Sequence, residues 1–344
     1  MIYVNYGTDW ENITYDCLKA SDIGDYLKTG MSVAIKPNLV NATHPSNGAT
    51  THPEVVIGII RFLKDFGVKN IKVTESSSVG QNTKQAYKIC GYETIEKKYG
   101  VPLVDLKNAP SNTLSHGGFD IKIAKQALET DFLISVPVLK AHCQTRLTCC
   151  MKNLKGCIPE SEMRRFHTLG LHKPIAALAA LLPVHYCVVD GICGDLSFEE
   201  GGTPVEANRV MAGRDPIEID CYAAELIGYR PQDIGYLDIT GIKKYEVTEF
   251  NTDKKSKEQK KSARISERYS GNIDENQACS VCYAALVFAL HRSRSSKKTC
   301  IGQGFKGKSG GDLGIGTCTS GFTNHVSGCP PKAVDIIEAL NTVK

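Results

Sequence analysis

Residues 31–40 read M-S-V-A-I-K-P-N-L-V, residues 53–67 read P-E-V-V-I-G-I-I-R-F-L-K-D-F-G, and residues 70–75 read N-I-K-V-T-E. The first run, over 31–35, is short and apolar and predicts a strand. From Glu54 to Phe66 apolar residues recur at helical spacing, at Val55, Ile59, Phe62, Leu63 and Phe66. Gly67 then ends the run as helix C-caps do. Residues 70–74 predict a second strand. The same alternation continues outward: a helix over 83–90 closed by Gly91, strands over 101–105, 131–136 and 185–189, and helices over 174–182 and 216–227. Each of these last two begins with a proline, Pro174 or Pro216, at a first-turn position. Strands alternating with helices argue for an α/β domain with a largely parallel sheet.

The chain has 344 residues, long enough for two domains. We expect an α/β domain over 1–245, a basic linker over 246–270 and a small cysteine-bearing segment over 271–344. The linker assignment rests on Lys254, Lys255, Lys257, Lys260 and Lys261 among few apolar residues. A net charge of +4 gives no warrant for a nucleic-acid partner. No basic segment followed by an apolar run opens the chain, so no secretory signal is expected. The longest apolar stretch, 175–189, is interrupted by Pro183 and His185 and is too short to span a bilayer. The expectation is a cytoplasmic protein whose fourteen cysteines stay reduced, as would suit an anaerobic cell.

Four of those cysteines form a set: Cys279 and Cys282 in C-S-V-C, Cys318 in G-T-C, and Cys329 in G-C-P-P. Four converging thiolates hold a metal or an iron–sulfur cluster. The two-residue spacing lets Cys279 and Cys282 face one centre from a single turn. The apolar run that follows places that turn at a helix N-terminus, which stabilises anionic sulfur. Gly316 and Gly328 sit just before ligand positions, where a small residue lets the backbone approach a bulky cluster. The set resembles the cluster cradle of the small subunit of nickel–iron hydrogenases, over about 50 residues. That resemblance implies a 4Fe-4S cluster on Cys279, Cys282, Cys318 and Cys329. Structural zinc also fits a C-x-x-C with two distant cysteines. Cys300 is an ambiguous fifth thiol, and Cys149, Cys150 and Cys157 form a group whose spacing matches no closed site.

Polar strings follow the predicted strand ends, where α/β folds place their sites. They are Lys36-Pro37-Asn38, Glu75-Ser76, Lys140-Ala141-His142, the run Lys152-Asn153-Leu154-Lys155-Gly156 with His167, and Asp190-Gly191. Lysines gathered at such positions balance an anionic ligand. We therefore expect Lys36, Asn38, Lys152, Asn153 and Asp190 to bind substrate. Lys140, His142 and His167 are the candidate catalytic groups, since imidazole titrates near neutral pH. Asp215 is expected as a helix N-cap before Pro216.

The strings K-P-N-L-V, T-H-P-E-V-V, S-V-P-V-L-K-A-H, M-K-N-L-K-G and A-G-R-D-P, with Asp220 after it, resemble the domain-of-unknown-function 362 family over residues 31–228. The resemblance implies that an iron–sulfur module accompanies the α/β domain. The chain departs from the family after the Asp190-Gly191 pair, where it reads C-G-D-L-S-F-E-E-G-G instead of a glycine- and proline-rich stretch. The combined expectation is a 4Fe-4S protein, a redox enzyme or electron-transfer protein whose partner is an anionic small molecule or a redox protein. A non-redox lyase or isomerase with a structural or Lewis-acid cluster, or a cofactor-assembly protein, stands as the alternative. A second metal or a flavin is left open.

Overall fold

The computed structural model describes residues 1–256, 265–310 and 313–342. Lys257, Lys260 and Lys261 of the basic segment lie outside the described residues. The main sheet has eight strands: β1 (Ile2–Tyr6), β2 (Ser32–Pro37), β3 (Asn70–Glu75), β4 (Leu103–Asp105), β5 (Phe132–Val136), β6 (Tyr186–Asp195), β7 (Pro204–Gly213) and β8 (Val247–Phe250). Their spatial order is β8-β1-β7-β6-β5-β2-β3-β4. Only β7 runs against its neighbours; the other pairings are parallel.

Side-chain alternation explains the layers. Val33 and Ile35 of β2 point into one apolar core and Ala34 into the other; Ile134 and Val136 of β5 oppose Leu133 in the same way. One core is closed by helices α1 (Trp10–Ala20) and α2 (Pro53–Phe66), the other by α3 (His172–Leu181) and α4 (Pro216–Leu226). α2 ends on Gly67 in the left-handed region, with φ at 100°. Asp215 caps α4 by accepting from the N–H of Ile217 at 2.8 Å and Glu218 at 3.3 Å.

The strand order contains the feature that positions the site. The chain builds β2, β3 and β4 outward in one direction, then returns to lay β5 on the other side of β2. Connections leaving β2 and β5 therefore diverge, and a crevice opens beyond their carboxyl ends. Pro37 and Val136 are paired at that edge.

The last part of the chain forms a small parallel sheet, β9 (Ile273–Glu275), β10 (Thr299–Ile301), β11 (Gly314–Ile315) and β12 (His325–Val326), packed with helices α5 (Ser280–Ser293) and α6 (Ala333–Thr342). Its own apolar core includes Leu286, Val287, Leu290, Ile301 and Ile336, joined by Cys143 from the α/β part. Gln144 ties the seam: its side chain donates to the Ala278 carbonyl at 3.1 Å and accepts from Ser280 Oγ at 2.6 Å.

Several elements differ from the sequence reading. Residues 247–250, inside the stretch read as linker, form edge strand β8 alongside β1. Strand β7 escapes recognition because Pro204, Glu206, Asn208 and Arg209 break its apolar pattern. Strand β6 continues to Asp195, past two glycines that look like turn residues. A Cβ at Gly194 would lie 1.9 Å from the Leu139 carbonyl oxygen, so this glycine permits a close backbone approach inside a strand. Among the described residues no helix is long and apolar enough to cross a membrane.

Candidate functional site

At the end of β2, Lys36 is buried together with Glu75 from the end of β3. Its Nζ lies 2.9 Å from Glu75 Oε1 and donates to Asn153 Oδ1 at 3.0 Å and the Pro37 carbonyl at 2.8 Å. Glu75 also accepts from the N–H of Leu39 at 2.8 Å and of Ser76 at 2.7 Å. Burial still leaves the Glu75 carboxyl above its ordinary range, against the pull of Lys36 and these N–H groups. Asn153 completes the knot by donating to the Lys36 carbonyl and Ser135 Oγ, at 3.0 and 3.1 Å. A Cβ at Gly156 would lie 1.9 Å from Glu75 Oε1 and 2.4 Å from Lys36 Nζ. The M-K-N-L-K-G string thus supplies an amide that bonds the ion pair and a glycine that lets the chain lie against it.

Lys140 is also buried, donating to the carbonyls of Ala49 and Glu199, both at 2.6 Å. Burial lowers its pKa to about 8, against the opposing charges of Glu199, Glu200 and Asp195. His142 accepts backbone N–H bonds at Nδ1 from Gln144 (3.1 Å) and Thr145 (3.2 Å), which puts its ring proton on Nε2. Burial, then Lys152, Lys155 and Lys140, hold His142 well below its usual titration range. His167 is depressed for the same reasons, by burial and then Lys155 and Lys152.

These groups surround one cavity of about 260 Å³. Lys152 and Lys155 are among its walls, with Lys152 Nζ donating to Thr148 Oγ1 at 3.3 Å. Burial brings Lys155 down to about 8, while burial and the neighbouring Lys155 drive Lys152 lower than its ordinary value. Two cations held this close in a shielded site favour an anion between them.

The cysteine cradle opens into the same cavity: Cys279, Cys282 and Cys329 are among its walls. Cys279 is the N-cap residue of α5 and Cys282 lies in its first turn. Burial raises the Cys282 thiol to about 12, with further upward pressure from Cys279, Cys329 and Cys318. The four sulfurs therefore sense one another's charge. Gly328 holds φ at 132° before Cys329, and a Cβ there would meet Pro331 Cα at 2.5 Å. None of the fourteen cysteines is bridged. Among the described residues, the one group of three or more metal-type donors within 4.8 Å of one another is Cys149, Cys150 and Asp220, all buried. There Asp220 already accepts from the N–H of Cys150 at 2.7 Å and Met151 at 3.1 Å.

The model of the family described as "Domain of unknown function (DUF362)" matches residues 33–225, the stretch that holds the ion pair, the lysines and both histidines. The chain belongs to this family. A thylakoid-associated protein of Synechocystis sp. is 28% identical over 202 residues, an alignment covering 59% of this chain and 61% of that protein. The match thus spans about three fifths of the relative's length. Among solved structures, the lactate racemase apoprotein from Thermoanaerobacterium thermosaccharolyticum aligns at a TM-score of 0.46 and 15% identity, over 67% of this chain and 57% of that one. A Thermotoga maritima protein aligns at 0.37 and 14% identity, over 54% and 51%.

Of the residues expected at the site, Asn38, Lys152, His142, His167 and three of the four cradle cysteines line the cavity with this family member's Lys36, Lys140 and Asn153. The last three are hydrogen-bonded to internal partners. Asp190 is not among the cavity walls. Its carboxylate accepts from the backbone N–H and Nδ1 of His52, at 2.7 and 2.8 Å, and from the Ile192 N–H at 3.0 Å. Cys318 sits in the turn Thr317–Thr319 of the cradle without lining the cavity. Glu199 and Glu200 are walls that sequence reasoning missed.

Lys36→Met leaves Glu75 buried without its cation and is expected to cost about 3–5 kcal/mol of stability. Adding Glu75→Gln should recover part of that loss, as urea denaturation midpoints would show. His142 and His167 give a pH signature. Their folded-state values lie below the ordinary 6.5. Below pH 6.5 the unfolded chain takes up protons that the folded chain refuses, so stability falls with falling pH, by up to about 1.4 kcal/mol per pH unit for each group. A His142→Gln, His167→Gln double variant should flatten that acid limb in urea titrations between pH 5 and 7.

Proposed function

We propose that this chain binds a 4Fe-4S cluster on Cys279, Cys282, Cys318 and Cys329 and works as a redox enzyme or electron-transfer protein on an anionic small molecule. The observation that carries the reading is that cradle thiols and the Lys152–Lys155 pair wall one cavity. The donor set fits a cluster. Charge on Cys279, Cys329 and Cys318 presses the Cys282 thiol upward beyond the effect of burial, so the four thiols lie within one another's electrostatic reach, as a four-cysteine ligand set requires. When bound, it would supply single electrons at the wall of the pocket.

The chain's own residues provide the rest. Lys152 and Lys155 hold the anionic group. His142, with its proton on Nε2, and His167 face the bound molecule as proton-handling groups. The Lys36–Glu75–Asn153 knot keeps the lysine-bearing segment in place. The cradle and the cations are electrically joined, since Lys155 and Arg164 both pull the Cys279 thiol downward against burial. A reducing cytoplasm suits fourteen unbridged thiols.

Protein purified without oxygen should contain about four iron and four sulfide per chain. It should show a visible charge-transfer band that bleaches on reduction, with an EPR signal in the reduced state. Cys282→Ala and Cys329→Ala should lose most of the iron. Lys152→Met should keep the iron and weaken anion binding. A colourless protein free of iron would end this reading.

A further inference from the structure

Five buried side-chain polar atoms without a hydrogen-bond partner belong to walls of this one cavity: Asn38 Oδ1, Asn41 Oδ1, Ser76 Oγ, His167 Nδ1 and Glu199 Oε1. Buried polar groups are satisfied as a rule, so a set converging on one cavity marks where a ligand completes the bonding. The chemistry of the set constrains that ligand. Carboxylate oxygens accept and do not donate. Glu199 Oε2 is occupied by the Cys143 N–H at 3.0 Å, while Oε1 stands 3.6 Å from His142 Nε2, beyond a normal hydrogen bond. Glu199 Oε1 therefore has no donor within hydrogen-bond reach, while Lys152 and Lys155 wall the same cavity.

Glu199 is fixed where it stands. Lys140 holds its carbonyl at 2.6 Å. Asp195 pins the loop before it by accepting from the N–H of Ser197 at 2.6 Å and Phe198 at 2.9 Å. This loop lies in the stretch C-G-D-L-S-F-E-E-G-G, where the chain departs from the family pattern.

We propose that the ligand of this pocket is a small hydroxylated anion, with its anionic group on Lys152 and Lys155 and a hydroxyl donated to Glu199 Oε1. The proposal rests on the reading of the cavity as an anion site and names the second group the anion carries. A hydroxyl fits better than an ammonium group, because Lys140, Lys152 and Lys155 already crowd the site with positive charge. The cavity of about 260 Å³ has room for a small molecule of this kind.

Matched probes test this on the anaerobically purified full chain: glycolate against acetate, and glycerol 2-phosphate against inorganic phosphate, by calorimetric titration. The hydroxylated member of each pair should bind about tenfold more tightly, as a hydrogen bond to a charged acceptor provides. Glu199→Gln can keep the bond to the Cys143 N–H and presents an amide in place of the acceptor. It should erase most of that preference while strengthening all four probes together, because a negative charge leaves the pocket wall, whereas Lys155→Met should weaken all four. Equal binding within both pairs, or an undiminished preference in Glu199→Gln, overturns the hydroxyl proposal and leaves the anion site standing. Failure of all four probes to bind overturns the anion site itself. If Glu199→Gln does not fold, the paired comparison in the unaltered chain still decides.

Discussion

The buried Lys36–Glu75 pair is the constraint on which the site depends. Two opposite charges withdrawn from water are tolerable only when each is fully bonded, and here each is. Lys36 takes three acceptors, and Glu75 takes the lysine plus two backbone N–H groups. The partners come from the ends of β2 and β3 and from the segment carrying Lys152 and Lys155. The pair therefore locks the floor of the crevice to the residues that charge it. Replacing the pair with apolar groups could preserve stability but would release that registration, which is the best-attested use of a buried ion pair.

Above that floor the cavity concentrates positive charge in a setting that resists it. Burial lowers Lys140 and Lys155 to about 8 and pushes Lys152 down further by mutual repulsion. Burial first, and then Lys152 and Lys155, hold His142 and His167 well below their usual titration range.

Much of this was legible in the sequence, for physical reasons that also mark its limits. The strands with continuous apolar runs, β2, β3 and β5, and helix α2 with its glycine stop, announce themselves because burial on both faces leaves no room for polar residues. Strand β7 does not, because its outer positions are polar. Motif residues such as Lys36, Lys152 and His142 stand out by type and by position after a strand. What sequence cannot distinguish is how far a lysine is committed within the protein: Lys36 and Lys140 each have two or more strong internal acceptors, whereas Lys152 has one longer bond, to Thr148 Oγ1 at 3.3 Å. Asp190 reads like a site residue but serves His52 and its own turn. Glu199 is invisible because it lies in an irregular loop, and only the fold brings that loop over His142.

The cradle and the pocket are linked through shared cations rather than merely adjacent. Charge on Cys279 raises Lys155, and Lys155 lowers Cys279. Linkage requires this influence to be reciprocal: whatever holds Lys155 protonated also favours the thiolate at Cys279, and a thiolate there favours a charged Lys155. A bound anion adds a third member that stabilises the lysine but repels the sulfur. The two electrostatic terms oppose each other, so charge at the cradle and charge in the pocket are coupled through Lys155. Adding negative charge at the cysteines strengthens the proton hold of Lys155 while raising the cost of an anion beside it.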